Sequence, residues 1–185
     1  MDGLNKGIPT DYKGAAMRSL LEAKWAAFFD CLGWKWVYEP CEFNGWIPDF
    51  VLIGEKQQTF VEVKPVFEFP TEVAEKIDAA GVPGEVLIVG MAPLVAKCES
   101  MGLKGALGWL RESWPGNEGT QSEWWDVAHF HSGGSRIGFH HATGSYHDRI
   151  TGFYDGDHGS FYEDESRIMD LWHRASSRVQ WKPRG

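Results

Sequence analysis

Residues 47–64 read IPDFVLIGEKQQTFVEVK. Two segments rich in β-branched and aromatic residues, Ile47–Ile53 and Thr59–Lys64, flank the polar turn Gly54-Glu55-Lys56-Gln57-Gln58. A short polar loop between two such runs predicts an antiparallel hairpin. Pro65 follows directly and, lacking an N–H, stops further ladder pairing. Side chains alternate along a strand, so Glu62 and Lys64 share one face while Val63 takes the other.

Outward from this hairpin, residues 17–32 (MRSLLEAKWAAFFDCL) predict an amphipathic helix. Leu21, Trp25, Phe28, Phe29 and Leu32 recur at helical spacing, and Gly33 supplies the stop. Lys35–Glu39 is a first strand, followed by a turn at Gly45. Downstream, Thr71–Ala80 predicts a second helix closed by Gly81, and the all but wholly apolar run Glu85–Val89 a strand buried on both faces. The order helix, three strands, helix, strand places a mixed sheet between helices, an α/β layered core. Residues 1–14 read as a flexible arm. Residues 115–162, rich in Gly, Ser, His and aromatics, read as short strands or long loops. Ile168, Leu171, Trp172, Ala175 and Val179 form a helical stripe over Glu163–Val179, acidic at its start (Glu163, Asp164, Glu165) and basic at its end (Arg174, Arg178), as the helix dipole favours. With no internal repeat or low-complexity linker, residues 1–185 read as one domain.

Hydrophobic residues make up 43% of the 185-residue chain and charged residues 24%, an ordinary globular balance. No apolar run approaches the roughly 18 residues of a membrane span, so no membrane partner is expected. The N-terminus lacks a secretory pattern, which points to the cytoplasm of the cell or of a host. The net charge of −8 argues against non-specific coating of nucleic acid, but not against a site that concentrates carboxylates. Cys31, Cys41 and Cys98 are widely spaced and predict free, mostly buried thiols rather than a disulfide or zinc framework. The ten tryptophans predict core or interface anchors.

The chemistry centres on the hairpin. With Asp49 on the strand paired to that of Glu62, two carboxylates come together and require a compensating cation. A hard divalent ion, Mg²⁺ or Mn²⁺, suits such oxygen ligands and keeps several waters, with the Val63 carbonyl as a further ligand. Bound there, the ion polarises a phosphodiester and acidifies a water, while Lys64 orients that water or meets the charge of the transition state.

Four segments, Glu22 within RSLLEAKWAAFF, Tyr38-Glu39-Pro40, Pro48-Asp49-Phe50 and Glu62-Val63-Lys64, together resemble the PD-(D/E)XK nuclease superfamily over about Arg18 to Val89. Small phage and mobile-element nucleases are similar in carrying a YEP-type strand before the PD hairpin. The resemblance implies a restriction-endonuclease-like fold, with a nuclease core over about residues 15–100 and a His- and aromatic-rich elaboration plus a C-terminal helix over 115–185. It implies a Mg²⁺- or Mn²⁺-dependent deoxyribonuclease in which Glu22, Asp49, Glu62 and Lys64 are catalytic and Glu22, Asp49, Glu62 and Val63 hold metal. DNA is the implied partner, and a homodimer is compatible because many proteins of this fold act in pairs. The alternative is a nuclease-fold binding module without cleavage, such as a phage-encoded factor.

Other residues offer competing roles. Ser19-x-x-Glu22 has capping-box spacing, so Glu22 also fits a helix cap; Met17 and Leu20 carry the helical run across Ser19 and favour the ligand role. Glu39 fits either a fourth acid of the site or a cross-strand partner. His129, His131, His140, His141 and His147 suggest zinc, but their spacing fits surface or loop histidines better. Arg167, Arg174, Arg178 and Lys182, with Arg184, make the C-terminal segment basic and the expected contact for a DNA backbone. Trp172 and Trp181 read as core residues or as platforms for unpaired bases.

Overall fold

The computed structural model describes residues 7–98, 102–115, 121–133, 136–143, 147–153, 163 and 165–179. Helix α1, Leu20–Cys31, begins at Ser19, whose backbone is extended (φ −143°, ψ 156°) and whose hydroxyl oxygen accepts the Glu22 N–H at 3.1 Å. It closes on Gly33 (φ 72°) with Gly33 N–H to Asp30 O and Trp34 N–H to Phe29 O, the paired bonds of a Schellman stop. The helix expected from residue 17 therefore starts three residues later. Ala15–Met17 is instead a strand, β2, paired antiparallel with β1, Thr10–Tyr12. Lys13 and Gly14, both at positive φ, form the tight turn between them. Tyr12 and Lys13 both reach Asp30, at 2.7 and 2.9 Å, which pins this hairpin to the end of α1. The flexible arm expected over 1–14 is thus structured from Thr10; residues 1–6 lie outside the described part.

Strands β3 (Lys35–Tyr38), β4 (Phe50–Ile53) and β5 (Gln58–Val63) pair antiparallel in succession. After β5 the chain crosses through helix α2, Thr71–Ala79, and returns as β6, Glu85–Val89, parallel to β5. The predicted elements are all present, each within about three residues of its expected ends. Alternation along the strands sorts the core. Phe50, Leu52, Val61, Val63, Leu87 and Val89 join α1 in one cluster, whereas Val86 and Ile88 pack on the other face with Ala74 and Ile77 of α2.

The sheet then grows well beyond expectation. Strands β7 (Leu94–Cys98), β8 (Gly102–Pro115), β9 (Gln121–Gly133) and β10 (Arg136–His141) extend it to the order β10-β9-β8-β6-β5-β4-β3, with β7 beside β8. Strand β8 serves two neighbours along one edge: residues 102–106 pair with β7 and 109–111 with β6. A bulge at Ala106/Gly108 separates the halves, and a Cβ on Gly108 would meet the Ile88 carbonyl at 2.1 Å. Helix α3, Glu165–Arg178, packs on α1, with the Trp172 ring 4.7 Å from Trp25 and 5.5 Å from Phe28. Among the described residues this is an α/β protein of three helices and a mixed eight-stranded sheet, with a separate two-stranded hairpin.

Several expectations are corrected here. The described part of residues 115–162 holds more than short strands or loops: β9 is 13 residues long, because it pairs with β8 over residues 121–129 and with β10 over 128–133. The histidines are not at the surface: His129, His131, His140 and His141 are buried on β9 and β10, and of the group only His147 is exposed. Cys41 is exposed and Cys31 half-buried, contrary to the expectation of buried thiols. Trp172 is a core residue. Asp164, Trp181, Lys182 and Arg184 lie outside the described residues. No helix among the described residues is long and apolar enough to cross a membrane.

Candidate active site

A cleft of about 650 Å³ opens where the N-terminus of α1 meets the ends of β4 and β5. Glu22, Asp49, Glu62, Val63 and Lys64 all line it, so the residues singled out in the sequence come together. Asp49 precedes β4 directly, and its buried carboxylate (3% exposed) accepts the Val63 N–H at 2.7 Å. That bond fixes it against the last residue of β5, with Glu62 (6% exposed) next in chain. Val63 points into the α1 core, and Glu62 and Lys64, on the opposite side, form an ion pair.

Burial, then the nearby Glu62, pushes the Asp49 carboxyl up to about 7; Glu22 acts in the same direction, while the Val63 N–H and Lys64 act against it. Two carboxyl groups crowded into little water share their charge poorly, which is the condition a cation relieves. In this structure protein cations serve. Arg18 Nη2 is 2.6 Å from Asp49 Oδ1, and its Nε is 2.9 Å from Glu39. Glu39 is therefore the partner of Arg18 at the rim rather than a further acid facing Glu62.

Glu22 takes the capping role and also lines the cleft. With Ser19 as N-cap, its carboxylate contacts the Ser19 hydroxyl at 2.8 Å and accepts the Arg18 N–H at 3.0 Å and the Tyr38 hydroxyl at 2.7 Å. The capping role is thus real, and Met17 does not extend the helix. The same side chain nevertheless lines the cleft. Burial, then the bond to Glu22, raises the Tyr38 phenol to about 12, so it stays a donor.

Sequence reading did not single out Trp46, Lys24, Lys76 or the side chain of Arg18. Phe43 and Trp46 exchange backbone bonds of 2.7 and 2.8 Å across Asn44-Gly45, both at positive φ. This tight turn carries Trp46 to Glu62, where Nε1 donates to Oε2 at 2.9 Å. The Asn-Gly pair was the available signal. Lys24 and Lys76 face the cleft from α1 and α2.

The donor set suits a hard divalent ion: Asp49 and Glu62 offer carboxylate oxygens, Glu22 lies alongside, and Mg²⁺ needs only one or two carboxylates beside its waters. Among the described residues no group of three or more His, Cys, Asp or Glu is arranged as a ready-made metal cluster. Arg167, Arg174 and Arg178 are exposed on α3, away from this cleft. Arg167 pairs with Glu163 at 2.8 Å, and Arg167 and Arg174 line a second pocket with Cys31 and Leu32 at the far end of α1. Comparison with protein-family models, with curated proteins and with solved structures returned no match.

Proposed function

We propose that this protein is a Mg²⁺- or Mn²⁺-dependent nuclease that hydrolyses DNA phosphodiester bonds on a PD-(D/E)XK core. The observation that carries the reading is the buried pair Asp49 and Glu62 held in one cleft with Lys64, at the adjoining ends of the paired strands β4 and β5. The pattern α1, three antiparallel strands, α2 and a parallel β6 supports the restriction-endonuclease-like core.

Asp49 and Glu62 hold the ion in this reading, with Glu22 and the Val63 carbonyl in support. When bound, the divalent ion supplies a Lewis acid for the phosphate and a water of lowered pKa. The chain's own residues do the rest. Arg18, Lys24 and Lys76 draw the phosphates into an otherwise acidic molecule, and Arg18, 57% exposed, is free to turn from Asp49 toward them. The Lys64 ammonium donates to the attacking water or to the oxygen charge that develops on phosphorus.

Incubation with linear, circular and single-stranded DNA in Mg²⁺, Mn²⁺ or EDTA tests this. Asp49→Ala and Glu62→Ala should each lower metal-dependent cleavage by at least about 100-fold, the scale set by removing one group that stabilises transition-state charge. Undiminished cleavage by both folded variants overturns the assignment. One observation favours a second reading, a binding module that does not cleave: the Asp49 and Glu62 carboxylates are already engaged by Arg18, Val63, Trp46 and Lys64 of the same chain. Such a module would show no divalent-ion binding by calorimetry.

A further inference from the structure

The cleft carries apolar side chains that phosphate chemistry does not require, and exposed aromatic residues follow its lining residues in the chain. Ile8, Ile47 and Met91 line the cleft itself and are 52%, 40% and 38% exposed. Just past Lys64 and Pro65, Phe67 stands 76% exposed, more than any other large hydrophobic side chain described. Its loop is not loose. Val66 N–H bonds to Lys64 O at 2.8 Å and Met91 N–H to Val66 O at 3.0 Å, so the backbone on either side of the catalytic lysine is tied to the end of β6. Two residues on, the half-exposed Phe69 ring lies 5.9 Å from Trp109 and 5.8 Å from Trp125.

A solvent-facing phenyl group has a hydration cost that covering its face relieves. Here it stands two residues after Pro65, the last residue that this chain segment gives to a cleft whose lysines, Lys24, Lys64 and Lys76, suit a phosphate chain. Cations for the backbone and aromatic faces for the bases are the two components of single-strand recognition. Paired bases in a duplex have their faces covered by stacking and offer none to Phe67. Asp49 and Glu62 also lie at the bottom of a concave site of small-molecule size rather than on an open saddle.

We propose that the cleft takes single-stranded nucleic acid, or the unpaired segment of a branched or frayed DNA, with a base next to the reacting phosphate stacked on Phe67. This rests on the nuclease reading of the cleft and specifies its substrate class.

The test separates the two claims. Fluorescence anisotropy with a labelled 15-nucleotide DNA and with its blunt duplex, in EDTA and in Ca²⁺, reads binding alone. The wild-type protein should bind the single strand at least tenfold more tightly. Phe67→Ala should weaken that binding by about five- to 100-fold, the range that losing one base–aromatic stack spans, and Phe67→Trp should restore it. Because Phe67 is solvent-exposed, the alanine variant should keep the wild-type melting temperature. Equal or tighter binding of the duplex, or single-strand binding unchanged in Phe67→Ala, overturns the proposal and leaves the exposed aromatic residues to a protein partner or a second copy of the chain. Cleavage in Mg²⁺ is scored separately: single-strand preference without cleavage would sink the nuclease and keep the binding inference, whereas cleavage with duplex preference would do the reverse.

Discussion

Asp49 is where local forces conflict most. Its carboxyl is buried beside Glu62, so ionisation costs more in the fold than in the unfolded chain, and its pKa rises from 3.8 to about 7. The usual sign for an aspartate is therefore reversed. Protonated Asp49 favours the fold; that contribution is complete below about pH 3.8 and is lost as pH rises through about 7. Asp49→Asn removes the ionisable group, so in EDTA its melting temperature should exceed that of the wild type at pH 8, with about 2–4 °C expected for each kcal/mol in a chain this long. The gain should shrink by pH 5, where the wild-type carboxyl is itself neutral. An equal difference at both pH values, read by scanning fluorimetry, would reject the burial account. Asp49, Glu62 and Lys64 were legible in the sequence because strand alternation and one short loop place them. Trp46 and the Arg18 side chain were not, because their positions depend on how the Asn44-Gly45 turn and the Ser19 cap aim them in space.

At the scale of elements, β9 and β10 form an antiparallel pair that buries four histidines, three of them with lowered pKa values that favour the neutral ring. His129 pairs directly with His140, and the His131 and His140 rings lie 5.5 Å apart. Burial lowers His140 to about 4, with His131, His129 and Arg149 adding to it against a bond to the His141 carbonyl; His129 and His141 are lowered too, mainly by burial. Asp148, buried over Gly138, faces His131 at 3.6 Å. A histidine with a depressed folded pKa contributes stability that is present above about 6.5 and lost as pH falls toward its folded value. Three such residues oppose the single gain at Asp49, so the melting temperature should fall between pH 7 and pH 4. His140→Gln should flatten that fall whatever it does to absolute stability; an unchanged slope would show that His140 does not titrate with unfolding. This hairpin was hidden from sequence reading for a physical reason. Its strands carry buried histidines and glycines where alternation looks for Val and Ile, and the β8 bulge at Gly108 breaks the period of two. By contrast, Glu85–Val89 was legible because an uninterrupted apolar run leaves few alternatives to a fully covered strand.

Across the whole molecule, the proposed function makes the distribution of positive charge the guide to which surface would meet nucleic acid. The chain carries a net charge of −8, so local clusters matter more than the total. One cluster, Arg18, Lys24, Lys64 and Lys76, lines the cleft at the N-terminal end of α1. The other, Arg136, Arg167 and Arg174, lies at its C-terminal end, beside Cys31 and Leu32. At 1.5 Å per residue, Ser19 and Leu32 are about 20 Å apart along the helix. Sequence reading favoured the C-terminal segment with Arg167, Arg174, Arg178 and Lys182, two of which stand in the second cluster, because basic residues close together in sequence are easy to see and those gathered from separate elements are not. A strand whose phosphate sits over Asp49 and Glu62 meets the first cluster directly and reaches the second only by running the length of α1. The salt dependence of binding separates the two. For single strands, each phosphate contact contributes about 0.7 to the slope of log affinity against log salt. Lys24→Gln with Lys76→Gln should therefore lower the slope for a short oligonucleotide by about 1.4, while Arg167→Gln with Arg174→Gln should leave it where it was. The opposite pattern would move the nucleic acid to the α3 face and leave the cleft lysines only a structural part.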